Sequence, residues 1–320
     1  MIQFYKKRDF GTFITDSFNF FKLYGKNYFK SYILINGLLL ILMVTVFIFG
    51  YRELFSQIFG SNLGGDTYYF ERYFSDNAGM LIGVGVVTFL LFMILAIINY
   101  LYPVFYLKRI AGGAKDIKTD EILGDFKKNA GKIAKLCLGI TFIVAPLSVF
   151  IVGFSYLLIF ILIGIFLIFL VYPTLFNVIT FLMYDYFNSG RSFMESLSFS
   201  IRSQFSYPNG SEKSPYWKYW GAAFVMFVII STVSSVFTYI PMIIFYSSIL
   251  TTTPDGSFEQ NPFDGAFGVA FFVFYGISML LSFFLSNLLY VNAGFMYYDS
   301  RTDLHQKVEL EEIDKIGINE

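Results

Sequence analysis

The chain has 320 residues, 23 basic side chains balanced by 23 acidic ones, and a hydrophobic fraction of 56% with only 14% charged. Soluble domains carry roughly 25% charged residues, which excludes an ordinary soluble fold. A zero net charge leaves no electrostatic case for a nucleic-acid partner.

Lys6, Lys7 and Arg8 open the chain, but the residues that follow are amphipathic, so a cleavable signal is not expected. Asp9 is placed to cap a helix over residues 9–28. Its apolar face is expected to carry Phe10, Phe13, Ile14, Phe18, Phe21 and Tyr28, with Lys22 and Lys26 on the polar side. A membrane span follows at once, so this helix is read as lying on the membrane surface, within a cytoplasmic amphipathic arm over 1–30. Span 1 covers about 31–50. The polar stretch to Ala78 is broken by Gly64-Gly65, where Asp66 is placed to cap a short helix. Span 2 covers about 79–102 and opens on Gly79-x-x-x-Gly83, a spacing that permits close helix approach. Pro103 follows, and the helix is expected to continue past it to Lys108-Arg109.

Residues 108–135 are basic. Thr119 is expected to cap a second amphipathic helix bearing Ile122, Leu123, Phe126, Ala130 and Ile133, with Lys127 and Lys128 on its polar side. The stretch 136–184 contains no Asp, Glu, Lys, Arg or His. As one helix it would be about 70 Å long against a hydrocarbon core of about 30 Å, so it must cross a bilayer twice. The two spans are placed at 136–153 and 155–183, turning near Gly153. Ser192-x-x-Glu195 is a capping-box pattern for a third amphipathic helix carrying Phe193, Met194, Leu197, Ile201 and Phe205. Trp217 and Trp220, the only tryptophans, are expected at headgroup level. Spans 5 and 6 cover about 220–249 and 269–298. Between them, Pro254, Asp255-Gly256, Pro262 and Asp264-Gly265 supply turn chemistry. An acidic tail, 299–320, closes the chain.

The predicted fold class is therefore all-α and integral to the membrane: six spans over 31–298, arranged as three hairpins, each preceded by an amphipathic interfacial helix. The loops after odd spans carry only Arg52 and Arg72, whereas the other 21 of the 23 basic residues lie in the N-terminal arm, the two remaining loops and the tail. The positive-inside rule then puts both termini in the cytoplasm. Short matches between even spans suggest a threefold repeat. Asn99-Tyr100-Leu101-Tyr102-Pro103 compares with Phe169-Leu170-Val171-Tyr172-Pro173 and Asn287-Leu288-Leu289-Tyr290-Val291. Phe181-Leu182-Met183-Tyr184-Asp185 likewise compares with Phe295-Met296-Tyr297-Tyr298-Asp299.

Catalytic patterns are sparse. His305 is the sole histidine and Cys137 the sole cysteine, which removes His-based zinc sites, His-dependent nucleophile triads and any internal disulfide. No cofactor, metal or enzymatic activity is expected. The polar residues within spans, Asn36, Asn99, Asn177, Asn287 and Asn292, have two readings: hydrogen bonds between helices, or the lining of a path for a polar solute. Asp185 and Asp299 each follow a tyrosine at the C-terminal end of a span, where the helix dipole disfavours an anion. A basic neighbour is expected for each, from Lys108, Arg109, Arg191 or Arg202; a carboxylate pair for a metal or proton is the alternative.

Asp9-Phe10-Gly11 through Phe29, the six-span layout and the closing Tyr297-Tyr298-Asp299-Ser300-Arg301 together resemble a bacterial multi-pass family. That family is similar to the membrane domain fused to some glycerophosphodiester phosphodiesterases. Its closing motif tends to be Tyr-Tyr-Asp-Leu-Arg, and here Ser300 replaces the leucine. The resemblance implies a bacterial inner-membrane protein. The family's catalytic module is absent from this chain, so no hydrolase role carries over. Two functions stay open: a non-catalytic scaffold or assembly component, or a transporter or lipid-handling protein using Pro-kinked, Asn-lined spans. The expected partners are membrane lipids and a protein at the cytoplasmic face, with Lys22, Lys26, Lys127, Lys128, Trp217 and Trp220 as contacts.

Overall fold

The computed structural model describes residues 2–51, 54, 69–207, 213–250 and 265–305. The expected Gly64-Gly65 break, the Asp66 cap, the turns at Pro254, Asp255-Gly256, Pro262 and Asp264, and the tail beyond His305 lie outside these residues. Within them every regular element is helical: α1 (Phe10–Val46), α2 (Tyr69–Asp76), α3 (Ala78–Ala111), α4 (Thr119–Lys128), α5 (Ala130–Gly139), α6 (Ala145–Leu157), α7 (Ile163–Asn188), α8 (Phe193–Phe205), α9 (Tyr216–Leu250) and α10 (Gly265–Ser300). Six helical stretches among the described residues are long and apolar enough to cross a bilayer. They overlap the six expected spans; five begin before the expected limit, because a helix continues into the interface wherever its backbone stays hydrogen-bonded, and the fourth begins at Ile163 instead of 155.

Several local expectations match. The Asp9 carboxylate accepts the Thr12 amide at 2.7 Å and starts α1. Ser192 and Glu195 form the reciprocal capping box at α8. Helix α3 continues through Pro103 to Ala111.

Others differ. Helix α1 runs without a break from Phe10 to Val46, so no boundary falls at residue 30. Protein covers a different stripe from the one expected to face the membrane: Phe13, Ser17, Phe20, Tyr28, Ser31 and Tyr32 are buried, whereas Phe10 and Phe18 are exposed. The reason is tertiary. Tyr28 packs edge-on against Tyr102 and Tyr106, with ring centroids 4.8 Å apart in both cases. This protein contact selects the buried stripe. Thr119 is not a cap; Lys118 occupies that position, and the Thr119 hydroxyl donates to Ser31 Oγ at 3.2 Å. The chain bends at Asn129, so Ala130 and Ile133 belong to α5, at the start of the third spanning stretch. That stretch continues through a widened π-helical turn, Ile140–Val144, just before Pro146, whose missing amide donor weakens the regular ladder.

The reversal expected at Gly153 falls instead at Leu162, after a tight turn over Leu158–Ile161. Leu162 has φ 63°, a left-handed conformation that is uncommon for leucine. Gly164 permits the return, because a Cβ there would collide with the Ser155 carbonyl and the Ile159 amide. Helix α7 then packs along α6.

The chain divides into two compact units. The first comprises Met1–Ile35, Tyr100–Val228 and Asn287–Glu320, and it holds the buried aromatic core and all of the buried ion pairs described below. The second comprises Asn36–Asn99 and Ile229–Ser286. Its packing is apolar: Phe271 and Phe272 lie against Phe47, Ile48, Tyr51 and Tyr275. Close approach in this unit uses Gly50 beside Val84 and Gly276 beside Val44, whereas Gly79 and Gly83 face open space. The Gly79-x-x-x-Gly83 spacing therefore marks no contact among the described residues.

Candidate functional site

The first unit concentrates charge where the last turns of α7 and α10 meet the N-terminal arm. Asp299, at the end of α10, is fully buried. Its Oδ1 accepts the Arg8 amide at 2.6 Å. Its Oδ2 accepts Lys218 Nζ at 2.7 Å, Tyr219 Oη at 2.6 Å and Tyr207 Oη at 3.3 Å. Lys218 also donates to the Arg8 carbonyl at 2.8 Å, closing a ring of polar contacts. A carboxylate removed from water needs this number of donors to stay charged.

Arg8 is itself 2% exposed. Its guanidinium donates to Asp16 Oδ2 at 2.9 Å and to the carbonyls of Phe4, Lys6 and Gln3, and it lies 4.9 Å above the Phe295 ring. Burial pulls the Arg8 pKa below its ordinary value, and the Asp16 carboxylate works against that pull. The N-terminal arm is thus clamped to the ends of α9 and α10 by one arginine used three ways: side chain, amide and carbonyl.

Asp185, at the end of α7, is the second buried carboxylate. It pairs with Arg191 at 2.8 Å and lies 3.7 Å from Arg301. Tyr297 Oη donates to it at 3.4 Å and accepts from Arg301 at 3.0 Å. Burial opposes the Arg301 charge, yet Asp303 and the Tyr297 hydroxyl outweigh it and hold the Arg301 pKa above its ordinary value. The reciprocal hydrogen bond from Arg301 holds the Asp303 carboxyl below the usual range. The two matched segments, ending in Asp185 and Asp299, therefore end alike: a buried aspartate held by a cation. Tyr184 and Tyr297 stack between them with ring centroids 5.6 Å apart.

Of the expected cations, Arg191 alone meets an aspartate of this pair. Lys108 instead donates to the Phe187 carbonyl at the end of α7, and Arg109 binds Asp125 and Glu121 on α4. Arg202 donates to Ser198 Oγ. Sequence reasoning did not find Arg8, Lys218 and Arg301 as partners. Lys218 carried a signal, since it is a lone cation among Trp217, Tyr219 and Trp220.

The asparagines are placed inside protein. Asn287 is fully buried and accepts Tyr28 Oη at 2.7 Å. Asn292 donates to the Phe13 carbonyl and to Ser17 Oγ, both at 3.1 Å. In the second unit, Asn99 donates to Ser286 Oγ at 2.9 Å. Asn177 is fully buried, and neither its amide nitrogen nor its amide oxygen has a hydrogen-bond partner among the described residues. Lys22, Lys26, Lys127 and Lys128 are exposed. Trp217 is 65% exposed, and Trp220 stacks on Phe224 with ring centroids 5.2 Å apart.

A cleft of about 710 Å³ opens along α8, bordered by Arg191, Glu195, Ser198, Phe199, Arg202 and Tyr207. Two of these residues touch the buried aspartates, Arg191 at Asp185 and Tyr207 at Asp299. No family model, no curated protein and no solved structure matches the chain. Among the described residues no three or more His, Cys, Asp or Glu side chains are grouped to hold a metal ion.

Proposed function

We propose that this chain is a non-catalytic multi-pass protein of the bacterial inner membrane, serving as a scaffold or assembly component, with both termini in the cytoplasm. The observation that carries the reading is the use made of its polar groups. Arg8, Lys218 and Asp299 lock an N-terminal arm and two helix ends together, while Asn287 and Asn292 join helix α10 to α1. Such groups are spent on rigidity, which suits a platform more than an alternating path. The resemblance to membrane domains fused to phosphodiesterases fits a support role, and the shared Tyr297-Tyr298-Asp299 stretch is the part that anchors the network.

The test is reconstitution and co-purification. The full chain, isolated in native lipid after mild crosslinking, should carry a stoichiometric protein partner at its cytoplasmic face. Saturable solute uptake by proteoliposomes holding this chain alone would replace the reading with transport.

The orientation rests on the Lys/Arg distribution and has its own check. In a Cys137→Ser background, Gly65→Cys and Ser257→Cys should react with an impermeant maleimide in intact cells, and Ser211→Cys should not. Labelling of the last would overturn the six-span topology.

The amphipathic helices are proposed as a cytoplasmic collar, with Lys22, Lys26, Lys127 and Lys128 toward anionic headgroups. Each such lysine contributes about 1 kcal/mol near an anionic surface. Reversing Lys127 and Lys128 to Glu should weaken retention of anionic lipid while leaving all six spans inserted, as read by carbonate extraction.

A further inference from the structure

Helix α8 has three distinct faces. Ser196, Ser200, Ser203 and Gln204 are buried, so the helix turns its serine-rich face into the protein. An apolar stripe points out: Met194 is 58% exposed, Ile201 45% and Phe205 52%. Beside that stripe lies the polar face of Glu195, Ser198 and Arg202, which borders the cleft. A solvated helix would place its serines outward and its methionine, isoleucine and phenylalanine inward. This inversion needs an apolar medium next to the stripe.

The polar face supplies the second half of the argument. Arg202 has no carboxylate partner among the described residues; Nε and Nη2 donate to Ser198 Oγ at 3.1 and 2.7 Å. The one carboxylate on the same face, Glu195, is held at the helix start by the Ser192 amide and hydroxyl at 2.8 and 2.9 Å. Arg191, which pairs with Asp185, also borders the cleft with its guanidinium 4.6 Å over the Phe199 ring. Guanidinium groups bind phosphate oxygens in paired, planar geometry.

We propose that the α8 cleft seats the phosphodiester headgroup of a membrane phospholipid, with Arg202 as its principal contact and the acyl chains along Met194, Ile201 and Phe205. Phe205 stacks on Tyr216 at 5.3 Å with an interplanar angle of 7°, and Trp217 follows Tyr216 at 5.2 Å, so the exposed Trp217 ring stands at the end of the acyl track. The site is separate from the lysine collar and stands whether the protein is a scaffold or a transporter; it requires only a membrane setting.

Trp217 is the reporter. The full chain carrying Trp220→Phe is placed in lipid nanodiscs containing equal fractions of chain-brominated phosphatidylglycerol or of chain-brominated diglucosyl diacylglycerol, which lacks phosphate. Quenching of Trp217 should show an association constant about tenfold higher for the phospholipid, the size of one charge-assisted hydrogen bond. Arg202→Gln, at an exposed position with no ion pair among the described residues, should bring the two lipids level. The double variant Lys127→Gln, Lys128→Gln should keep the preference. Equal quenching by both lipids in the parent chain, a preference that survives Arg202→Gln, or one lost with the two lysines would each overturn the assignment. So would an absence of bromine quenching accompanied by a protein crosslinked to the α8 stripe.

Discussion

Replacing Asp299 with alanine is expected to cost about 3–5 kcal/mol, the penalty for breaking a buried ion pair from one side. The substitution leaves Lys218 Nζ, Tyr219 Oη and the Arg8 amide without their shared acceptor. The loss should appear as a fall in detergent-phase Tm on the order of 10 °C. Asp125→Ala supplies the contrast. Asp125 pairs with Arg109 at 2.6 Å, but both side chains are partly open to solvent, at 25% and 29% exposure. A pair of that kind contributes about 0–1 kcal/mol. Equal Tm losses for the two variants would show that Asp299 is hydrated, and the clamp on the N-terminal arm would lose its basis. Asp185→Ala should fall between the two, because Asp185 is fully buried but Arg191 is 36% exposed and Arg301 keeps Asp303 as a partner.

These two aspartates also mark how far the sequence was legible. That they need cations follows from the helix dipole alone, since an anion at a C-terminus is unfavourable without one. Which cations serve them does not follow. Arg191 is six residues from Asp185 and was within reach of local reasoning, whereas Lys218 is 81 residues from Asp299, and the Arg8 amide is 291 residues away. Pairings at that separation are set by helix packing, which a single sequence does not encode in any local pattern. The same division holds for the fold. Uncharged runs read clearly as spans because bilayer thickness fixes their length. Caps read clearly where one residue satisfies one amide, as at Asp9 and Ser192. The stripe of α1 that protein covers did not, because Phe, Tyr and Ile surround that helix on most sides and periodicity cannot tell a protein-facing stripe from a membrane-facing one. The site of reversal between α6 and α7 did not either. Glycine at 153 is tolerated inside a helix, and the strained residue proved to be Leu162.

Gly294 gives the sharpest test of the packing around these helix ends. A Cβ built there lies 2.6 Å from both Leu107 Cδ2 and Tyr184 Oη, and 2.8 Å from Tyr184 Cζ. The leucine tip has little room to rotate, because Leu107 is fully buried. The tyrosine is fixed at both ends: its ring stacks on Tyr297, and its hydroxyl donates to the Tyr290 carbonyl at 3.0 Å. Gly294→Ala must therefore displace the ring, and Gly294→Val must displace it further. Overpacking costs about 1–3 kcal/mol, and stranding the buried Tyr184 hydroxyl adds about 1–3 kcal/mol. Because Tyr297 also bonds Asp185 and Arg301, a shift of the Tyr184–Tyr297 stack loosens Asp185 as well. Tm should fall for Gly294→Ala and fall more for Gly294→Val. Gly83→Ala, where a new methyl group meets nothing within 4 Å, should bring no loss, since alanine is the better helix former by about 1 kcal/mol. Combining Gly294→Ala with Tyr184→Phe tests the route of the strain. If the clash acts through the tyrosine hydroxyl, the double variant should lose less than the two single losses added together. Simple additivity would place the strain on Leu107 and leave the Tyr184–Tyr297 stack out of the chain of contacts between Gly294 and Asp185.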